Sequence, residues 1–256
     1  MHVQRPVTWP QTYAEAVALQ NTLRSRVIAE DHLKSVHTVA GLDAGLAADK
    51  TRMRGAIALL DFPALGLREQ ALALRAATFP YIPGLLSIRE VPVLLDALEK
   101  QSIVPDLLVC DGQGLAHPRR FGIACHLGVL TGLPAIGVAK SLLVGHYENL
   151  PDVRGAWRPL VHQDDVVGAA LRTRRGVSPV YVSIGHRVCL ETAIDYVMRC
   201  CTKYRLPETT RRAQESTGIA ADAVKQAAAT DQRINELSEA GARIGDVVKL
   251  ITSIAE

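Results

Sequence analysis

A segment in the middle of the chain combines residue types that suit phosphodiester chemistry. The apolar stretch Asp106–Cys110 is followed by Asp111, two glycines, His117, and arginines at positions 119 and 120. A strand that ends in a carboxylate beside cationic groups places a metal ligand at the carboxyl edge of a sheet, where open α/β sheets bind ligands. The pattern predicts hydrolysis of a phosphodiester, but a strand followed by an ordinary glycine turn with solvated arginines explains the segment equally well.

Two more carboxylates lie in well-patterned segments. Asp43 belongs to the apolar strand 36–46, and a second strand is predicted over 52–60. Glu90 follows the rigid loop 80–84 and would lie in the first turn of a helix with Ser87 as its N-cap. The apolar positions of that helix are Val91, Leu94, Leu95 and Leu98. Taken singly, these acids could instead be turn caps or serve the helix dipole.

Six segments, in order and with family-like spacing, together resemble the endonuclease V family over about residues 10–215. They are Pro80-Tyr-Ile-Pro-Gly84, Arg89-Glu90, Asp111-Gly-x-Gly-x-x-His-Pro-Arg-Arg120, Gly137-Val-Ala-Lys140, Gly185-His-Arg187 and Tyr204-Arg-Leu-Pro-Glu208. Each segment alone is weak evidence for the family, whereas the ordered set is strong evidence. The resemblance implies an α/β, ribonuclease H-like fold, in which a mixed sheet flanked by helices gathers separated carboxylates around a divalent metal.

The resemblance also implies roles for the reactive residues. Asp43, Glu90 and Asp111 form the acidic triad, and the two aspartates are the direct ligands of Mg²⁺, with Mn²⁺ as an alternative. Hard oxygen ligands suit a hard cation that neutralises charge developing on the ester. Lys140 and His117 match positions beside the scissile phosphate, where an ammonium acts as a compact point charge. A solvated lysine and a histidine satisfied by a carbonyl in a turn are the structural alternatives.

Base recognition is implied for the proline-rich loop. Pro80, Tyr81 and Ile82 resemble the family's wedge, which fills the space left by a base that has been taken out of the stack at a cost of about a few kcal/mol. By the same resemblance, backbone amides of Gly84 and Leu86 would read the hypoxanthine edge, and Gly84 permits close approach. The alternative is a proline-rich surface turn with a half-buried tyrosine.

Three arginines are expected to contact nucleic acid, namely Arg119, Arg205 and Arg211. The sequence departs from the family at Gln214, where relatives carry a histidine or an acid. A glutamine supplies neither a charged nor an imidazole ligand, so we expect weaker metal dependence on this region and no loss of activity.

The implied activity is that of a DNA repair endonuclease that recognises deoxyinosine and hydrolyses the second phosphodiester on its 3′ side, leaving 3′-hydroxyl and 5′-phosphate ends. Its partner is inosine-containing DNA, single or double stranded. RNA is left open because contacts to the 2′-hydroxyl are backbone details. The alternative is a non-cleaving module that binds inosine or nucleic acid, with a coiled-coil tail for association. The four residues Asp43, Glu90, Asp111 and Lys140 favour the enzyme.

Composition separates a basic body from an acidic tail. The net charge of the 256 residues is +3, whereas residues 217–256 carry four basic and six acidic side chains, so the body is the more positive part. The five cysteines are odd in number and lack C-x-x-C spacing, so they predict small buried side chains in a reducing compartment. With neither a signal-like segment nor a membrane-length apolar run, we expect a cytoplasmic protein without membrane contact.

The two ends of the chain carry separate expectations. Residues 1–11 are predicted to be disordered, and 12–34 to form an amphipathic helix. We expect a nuclease domain over 1–216 and a helical, coiled-coil-like tail over 217–256, whose heptad stripe resembles part of the signalling coiled coil of methyl-accepting chemotaxis proteins. The body should be monomeric, with weak self-association through the tail.

Overall fold

The computed structural model describes residues 3–218 and contains one mixed sheet with helices on both faces. The helices are α1 (Tyr13–Arg24), α2 (Leu86–Leu98), α3 (Ile123–Thr131) and α4 (Leu190–Cys200). A further helix, α5, covers residues 208–218. The strands are β1 (Thr38–Leu46), β2 (Arg52–Asp61), β3 (Leu67–Ala76), β4 (Leu107–Asp111), β5 (Ala135–Ala139), β6 (Trp157–His162), β7 (Asp165–Leu171) and β8 (Val180–His186).

The eight strands follow the order β3-β2-β1-β4-β5-β8-β7-β6. The central strands β1, β4 and β5 are parallel, and every other neighbouring pair is antiparallel. Parallel central strands bury both faces, which explains their nearly continuous apolar sequences. This arrangement confirms the predicted class of a mixed sheet flanked by helices.

Two apolar layers hold the helices to the sheet. On one face, α2 and α3 pack on side chains such as Leu42 and Ile57. On the opposite face, α4 packs on side chains such as Val109 and Val182. Successive side chains of a strand point to opposite faces of the sheet, so neighbouring residues of one strand belong to different layers. Between them, the two layers fix the central strands whose carboxyl ends carry the candidate site.

A glycine lets α5 lie directly on the sheet. A Cβ atom placed on Gly41 of β1 would come within 1.9 Å of the backbone oxygen of Thr209, so no larger residue fits without moving the helix. Ala213 of α5 packs on Ala56 and Ala58 of β2. This close packing brings the later residues of α5 to the ends of the central strands.

The N-terminal segment is ordered from residue 3, so the prediction of disorder over 1–11 was wrong for its described part. The indole nitrogen of Trp9 donates to the carbonyl of Ile88 at 2.7 Å. That carbonyl lies four residues before Pro92, which is inside α2 and has no N–H to give it. Trp9 therefore supplies a hydrogen bond that the helix itself lacks, and Arg5 adds ion pairs to Asp96 and Glu99.

The predicted helix over 12–34 was wrong in its second half. The start is as expected, since Thr12 and Glu15 form a reciprocal capping box. The helix ends at Arg24 because the following segment bonds to the end of β8: His186 Nδ1 accepts from the amide of Ile28 at 3.2 Å, and the amide of Arg187 donates back to the Ile28 carbonyl. Tertiary pairing has overridden local helical pattern.

Two details of α2 also differ from the prediction. Leu85 is the N-cap and makes no side-chain hydrogen bond, while Ser87 lies inside the helix. Glu90 therefore falls after the first turn, which holds no acidic residue, and a role at the helix dipole does not apply. Its carboxyl group needs another explanation, which the site supplies.

Within residues 3–218, no helix is long and apolar enough to cross a bilayer. Four of the five cysteines are buried, as expected, and Cys189 is partly exposed. Apart from residues 217 and 218, which belong to α5, the predicted tail lies outside the described residues.

Candidate active site

Strand register places the two aspartates side by side. β1 and β4 are parallel with Leu42 opposite Cys110, so Asp43 and Asp111 follow at the same edge. Asp111 is opposite Val138 of β5, and Lys140 comes two residues later. The two sequence-predicted aspartates and the lysine therefore meet where the parallel pairing of β1, β4 and β5 ends.

An open cavity of about 340 Å³ unites these groups with the proline-rich loop. Its walls include most of the predicted site residues: Asp43, Tyr81, Ile82, Gly84, Leu86, Glu90, Asp111, His117 and Lys140. The carboxylates come from β1, α2 and β4, while the loop 80–84 and the start of α2 form another wall. Acidic groups and the predicted base-reading loop thus share one space.

The carboxyl groups repel one another in a partly dry environment. Burial, followed by repulsion from Asp111, raises the pKa of Asp43 to about 6. Glu90 is only 9% exposed; burial, then Asp43 and Asp111, raise its pKa to about 8. Removing like charges from water and placing them together is unfavourable unless a cation accompanies them.

Hydrogen bonds secure one oxygen of each aspartate. Asp111 Oδ2 accepts from Lys140 Nζ at 2.6 Å and from Gln214 Nε2 at 2.7 Å. Asp43 Oδ2 accepts from the hydroxyl of Thr217 at 3.0 Å. Both Gln214 and Thr217 belong to α5. This helix therefore orients the two carboxylates.

The donor set fits a hard divalent cation. Within residues 3–218, no protein group donates to Oδ1 of Asp43 or of Asp111, and carboxylate oxygens are the ligands that Mg²⁺ prefers. No trio of acidic, histidine or cysteine side chains in that range is arranged to hold a metal by itself. Mg²⁺ in proteins is usually bound by one or two carboxylates, and water or phosphate fills its other coordination positions. Two aspartates are therefore a suitable protein ligand set.

His117 is satisfied by a carbonyl in a turn, the structural alternative considered for it. Its Nε2 lies 2.9 Å from the Gly84 carbonyl, and its Nδ1 accepts from the Arg119 amide at 3.2 Å. These partners fix the neutral tautomer with the proton on Nε2. Burial, with repulsion from Arg119, lowers the pKa of His117 to about 4, so the ring carries no charge at neutral pH.

The loop presents an exposed aromatic and two free amides. Tyr81 is 66% exposed, which does not match a half-buried packing residue. The amide of Leu85 donates to Ile82 O, whereas the amides of Gly84 and Leu86 donate to no group in the described part of the chain. Leu86 begins α2, whose first amides have no partner inside the helix.

Four predicted nucleic-acid contacts lie outside the cavity wall, namely Pro80, Arg119, Arg205 and Arg211. Arg119 bonds to Gly84 and Gln20. Arg205 donates to the Lys140 carbonyl at 2.7 Å, and Arg211 pairs with Glu208 at 2.6 Å. Their guanidinium groups hold protein segments in place, and DNA contact by these residues stays a prediction.

Two site residues escaped sequence reasoning. Thr217 gave no signal, because a hydroxyl near the end of a basic segment has no distinctive pattern. Gln20 did give one: it lies between Ala16 and Leu23 at helical spacing, and all three are buried. A polar residue in an apolar stripe indicates a buried hydrogen-bonding role.

Comparison with known proteins agrees with this geometry. The family model described as Endonuclease V matches residues 21–215. Endonuclease V of Trichormus variabilis is 56% identical over 216 residues, covering 84% of this chain and 98% of the relative. The crystal structure of Endonuclease V from Streptomyces avermitilis superposes with a TM-score of 0.81 at 45% identity, covering 89% of this chain and 100% of that one.

A third relative was solved with nucleic acid. A variant of Ciona intestinalis Endonuclease V is in complex with a 23mer DNA containing an inosine followed by a ribo-adenosine. It is 27% identical, with a TM-score of 0.75, and the match covers 82% of this chain and 97% of that one. A family match over most of the body, together with the ribonuclease H-like sheet and its acidic edge, shows that the chain belongs to the endonuclease V family.

Proposed function

We propose that this protein is a metal-dependent DNA repair endonuclease that recognises deoxyinosine and hydrolyses the second phosphodiester on its 3′ side. The observation that carries the proposal is the shared cavity, in which paired aspartates face a loop with an exposed tyrosine and two free amides. One wall suits a phosphate and the other suits a base. The inosine-containing DNA bound by the Ciona relative supports the same substrate for this chain.

Asp43 and Asp111 are proposed to hold Mg²⁺, or Mn²⁺ in its place. When bound, such an ion lowers the pKa of a water and neutralises charge that develops on the phosphate. Hydrogen bonds from Lys140 and Gln214 keep Asp111 in one rotamer, so little reorganisation is needed when substrate arrives. Lys140 also places a positive charge within reach of a bound phosphate.

Glu90 is proposed to hold a proton close to the reacting groups. Because its pKa is raised to about 8, the carboxyl group retains a proton near neutral pH unless a cation approaches. This carboxyl group would have a lower pKa beside a cation bound by the two aspartates and would release the proton to a neighbouring acceptor. Its buried position within α2 keeps it in place while the aspartates contact the ion.

Recognition is assigned to the loop and to the start of α2. Hypoxanthine presents an acceptor oxygen where adenine presents an amino group, so backbone N–H donors favour the deaminated base and leave a donor unpaired with adenine. The amides of Gly84 and Leu86 are the proposed readers. Tyr81, flanked by Pro80 and Ile82, is proposed to fill the stack after the nucleotide has rotated out.

The direct test uses end-labelled oligonucleotides, single and double stranded, that contain one inosine or a matched adenine. Incubation with Mg²⁺, Mn²⁺ or EDTA should give one cut, at the second phosphodiester 3′ to inosine, with 3′-hydroxyl and 5′-phosphate ends and no cut in EDTA. A parallel inosine-containing RNA tests the tolerance for a 2′-hydroxyl. Equal cutting of the adenine strand, or cutting in EDTA, would contradict the proposal.

A further inference from the structure

The carbonyl of Gly84 accepts hydrogen bonds from three side chains. Arg119 Nη2 lies 2.6 Å from this oxygen, His117 Nε2 2.9 Å and Gln20 Nε2 3.1 Å. Two of these donors come from the loop after β4, and the third comes from α1. A carbonyl has two lone pairs, so three convergent donors saturate it.

The donors are also bonded to one another. Arg119 Nε donates to Gln20 Oε1 at 2.6 Å, and the Arg119 amide donates to His117 Nδ1 at 3.2 Å. Gln20 Nε2 further lies 3.3 Å from the Phe121 carbonyl. The result is a closed network in which each side chain is held by the others as well as by Gly84.

The network lies where backbone freedom is greatest. Gly84 has φ of +77°, a left-handed conformation that only glycine adopts readily. Gln20 is fully buried in an apolar stripe, where an unpaired amide would be strongly unfavourable. A flexible glycine is thus fixed by a polar group that the core tolerates only while it is bonded.

We propose that Gln20, Arg119 and His117 are positioning residues that fix the Gly84 peptide and thereby set the preference for inosine over adenine. The inference rests on the proposed function, because it assumes that the amides of Gly84 and Leu86 read the base. These amides flank the saturated carbonyl along the chain. Loss of the network lets the peptide rotate, and the donors no longer meet the base edge in one geometry.

The proposal differs from phosphate binding by Arg119 in a measurable way. A phosphate contact weakens binding to all sequences alike, and its loss lowers the slope of log K against log salt by about 1. A positioning residue changes the ratio between bases and leaves the salt slope unchanged. Lysine can replace arginine at a phosphate but cannot reproduce a fork that bonds Gly84 and Gln20 together.

The experiment compares Gln20→Leu, Arg119→Met and Arg119→Lys with two matched controls. Asn21→Leu alters the exposed neighbour of Gln20 on α1. Arg120→Met alters the adjacent arginine, whose short bonds are to His162 and which reaches the network only at the backbone carbonyl of His117, at 3.5 Å. For each protein, kcat/KM is measured on inosine and adenine oligonucleotides, the salt slope on inosine DNA in Ca²⁺, and amide hydrogen exchange over residues 80–90 without DNA.

All three network variants should lower the inosine-to-adenine ratio at least about tenfold, since each removes or misplaces hydrogen bonds that hold the Gly84 peptide. Exchange over residues 80–90 should rise, the salt slope should stay at the wild-type value, and both controls should match wild type. If Gln20→Leu does not fold, the two Arg119 variants decide. The proposal is overturned if the inosine-to-adenine ratio of the variants is unchanged. It is also overturned if Arg119→Lys behaves as wild type while Arg119→Met shows a reduced salt slope.

The wild-type measurements separate this proposal from the function on which it rests. A wild-type protein without preference for inosine rejects the base-reading function itself, whatever the exchange data show. A wild-type protein with that preference, combined with faster exchange but an unaltered ratio in the variants, rejects only the positioning role.

Discussion

The two walls of the cavity are built on opposite principles. At the acidic wall, like charges are crowded together and burial raises the pKa of Asp43 and Glu90. At the loop wall, the groups that support the two free amides are paired: the Gly84 carbonyl has three donors, and the His117 ring uses both nitrogens. One wall is unfavourable until a cation arrives, whereas the other is already in its working arrangement.

The difference separates chemistry from recognition. Catalytic groups gain reactivity from an environment that disfavours their charge, whereas selective readers lose accuracy when their geometry varies. Substitutions at the acidic wall should therefore alter rate and leave substrate binding intact. Substitutions at the loop wall should alter the choice of base or of strand state.

The largest effect is expected for Asp111→Asn. The amide keeps the size of the side chain but loses the negative charge needed for a hard cation, so cleavage should fall by at least about 10³-fold, equivalent to several kcal/mol of barrier. Single-turnover cleavage in Mg²⁺ measures this loss. Binding of inosine DNA in Ca²⁺ should stay within a few-fold, as in the control Asp61→Asn, a partly exposed aspartate paired with Arg68. Cleavage near the wild-type rate would remove Asp111 from the metal site.

A smaller and more selective effect is expected for Tyr81→Ala. Only duplex DNA must be unstacked, at about a few kcal/mol, so cleavage of double-stranded inosine DNA should fall about 10- to 100-fold and of single strands only a few-fold. Paired assays on the two substrates measure the ratio. Tyr13→Ala, which changes another exposed tyrosine, is the control. Equal losses on both substrates would argue that Tyr81 has no wedge role.

The buried ring of His126 predicts that the stability of the protein depends on pH. His126 stacks on Trp9 with ring centroids 5.5 Å apart, has no hydrogen-bond partner in the described chain, and burial lowers its pKa to about 3. The unfolded state takes up protons first as pH falls below about 6.5, so stability is complete above that pH and is lost on acidification.

Between pH 7 and pH 5, this ring should account for a loss of about 2 kcal/mol in the free energy of unfolding. His126→Phe keeps an aromatic ring without titration and should be less sensitive by that amount in urea melts at the two pH values. Part of the slope will persist, because the pKa values of His117 and His186 are lowered to about 4. A slope in His126→Phe equal to that of the wild type would contradict the assignment.

Sequence reasoning located the acidic wall better than the loop wall. Asp111 ends its apolar strand, and Asp43 follows the last residue of β1 that pairs with that strand. The carboxyl ends of parallel strands meet at one edge for reasons of topology alone. The grouping of Glu90 and Lys140 with them followed from the family resemblance, and the shared cavity agrees with it. The pairing of His117 with a carbonyl was foreseen as an alternative.

What escaped prediction depends on contacts distant in sequence. Gln20 and Gly84 are 64 positions apart, and the Trp9 bond that orders the N-terminal segment spans 79 positions. Strand β3 and the antiparallel strands β6 to β8 were not predicted, since their burial depends on neighbours that no local pattern reveals. Helix ends failed for the same reason, as the early end of α1 shows.

The smallest effect is expected at Gln214, where the sequence is expected to depart from the family pattern. Its amide donates to the same Asp111 oxygen that Lys140 contacts, so the residue orients a ligand without being one. Groups that orient metal ligands typically alter metal affinity about 10- to 100-fold when removed. Because Lys140 still holds that oxygen, we expect the lower end of this range.

Gln214→Leu should therefore raise the Mg²⁺ concentration for half-maximal cleavage about tenfold, while the rate at saturating Mg²⁺ stays within a few-fold of wild type. A Mg²⁺ titration of single-turnover cleavage separates the two quantities. Gln101→Leu, which changes a glutamine whose side chain has no hydrogen-bond partner in the described chain, should leave the titration unchanged. A lower rate at saturating Mg²⁺ with an unaltered Mg²⁺ dependence would show that Gln214 acts in the chemical step. The distinction between the reactive carboxylates of the acidic wall and the neutral side chains that orient them would then not hold at this residue.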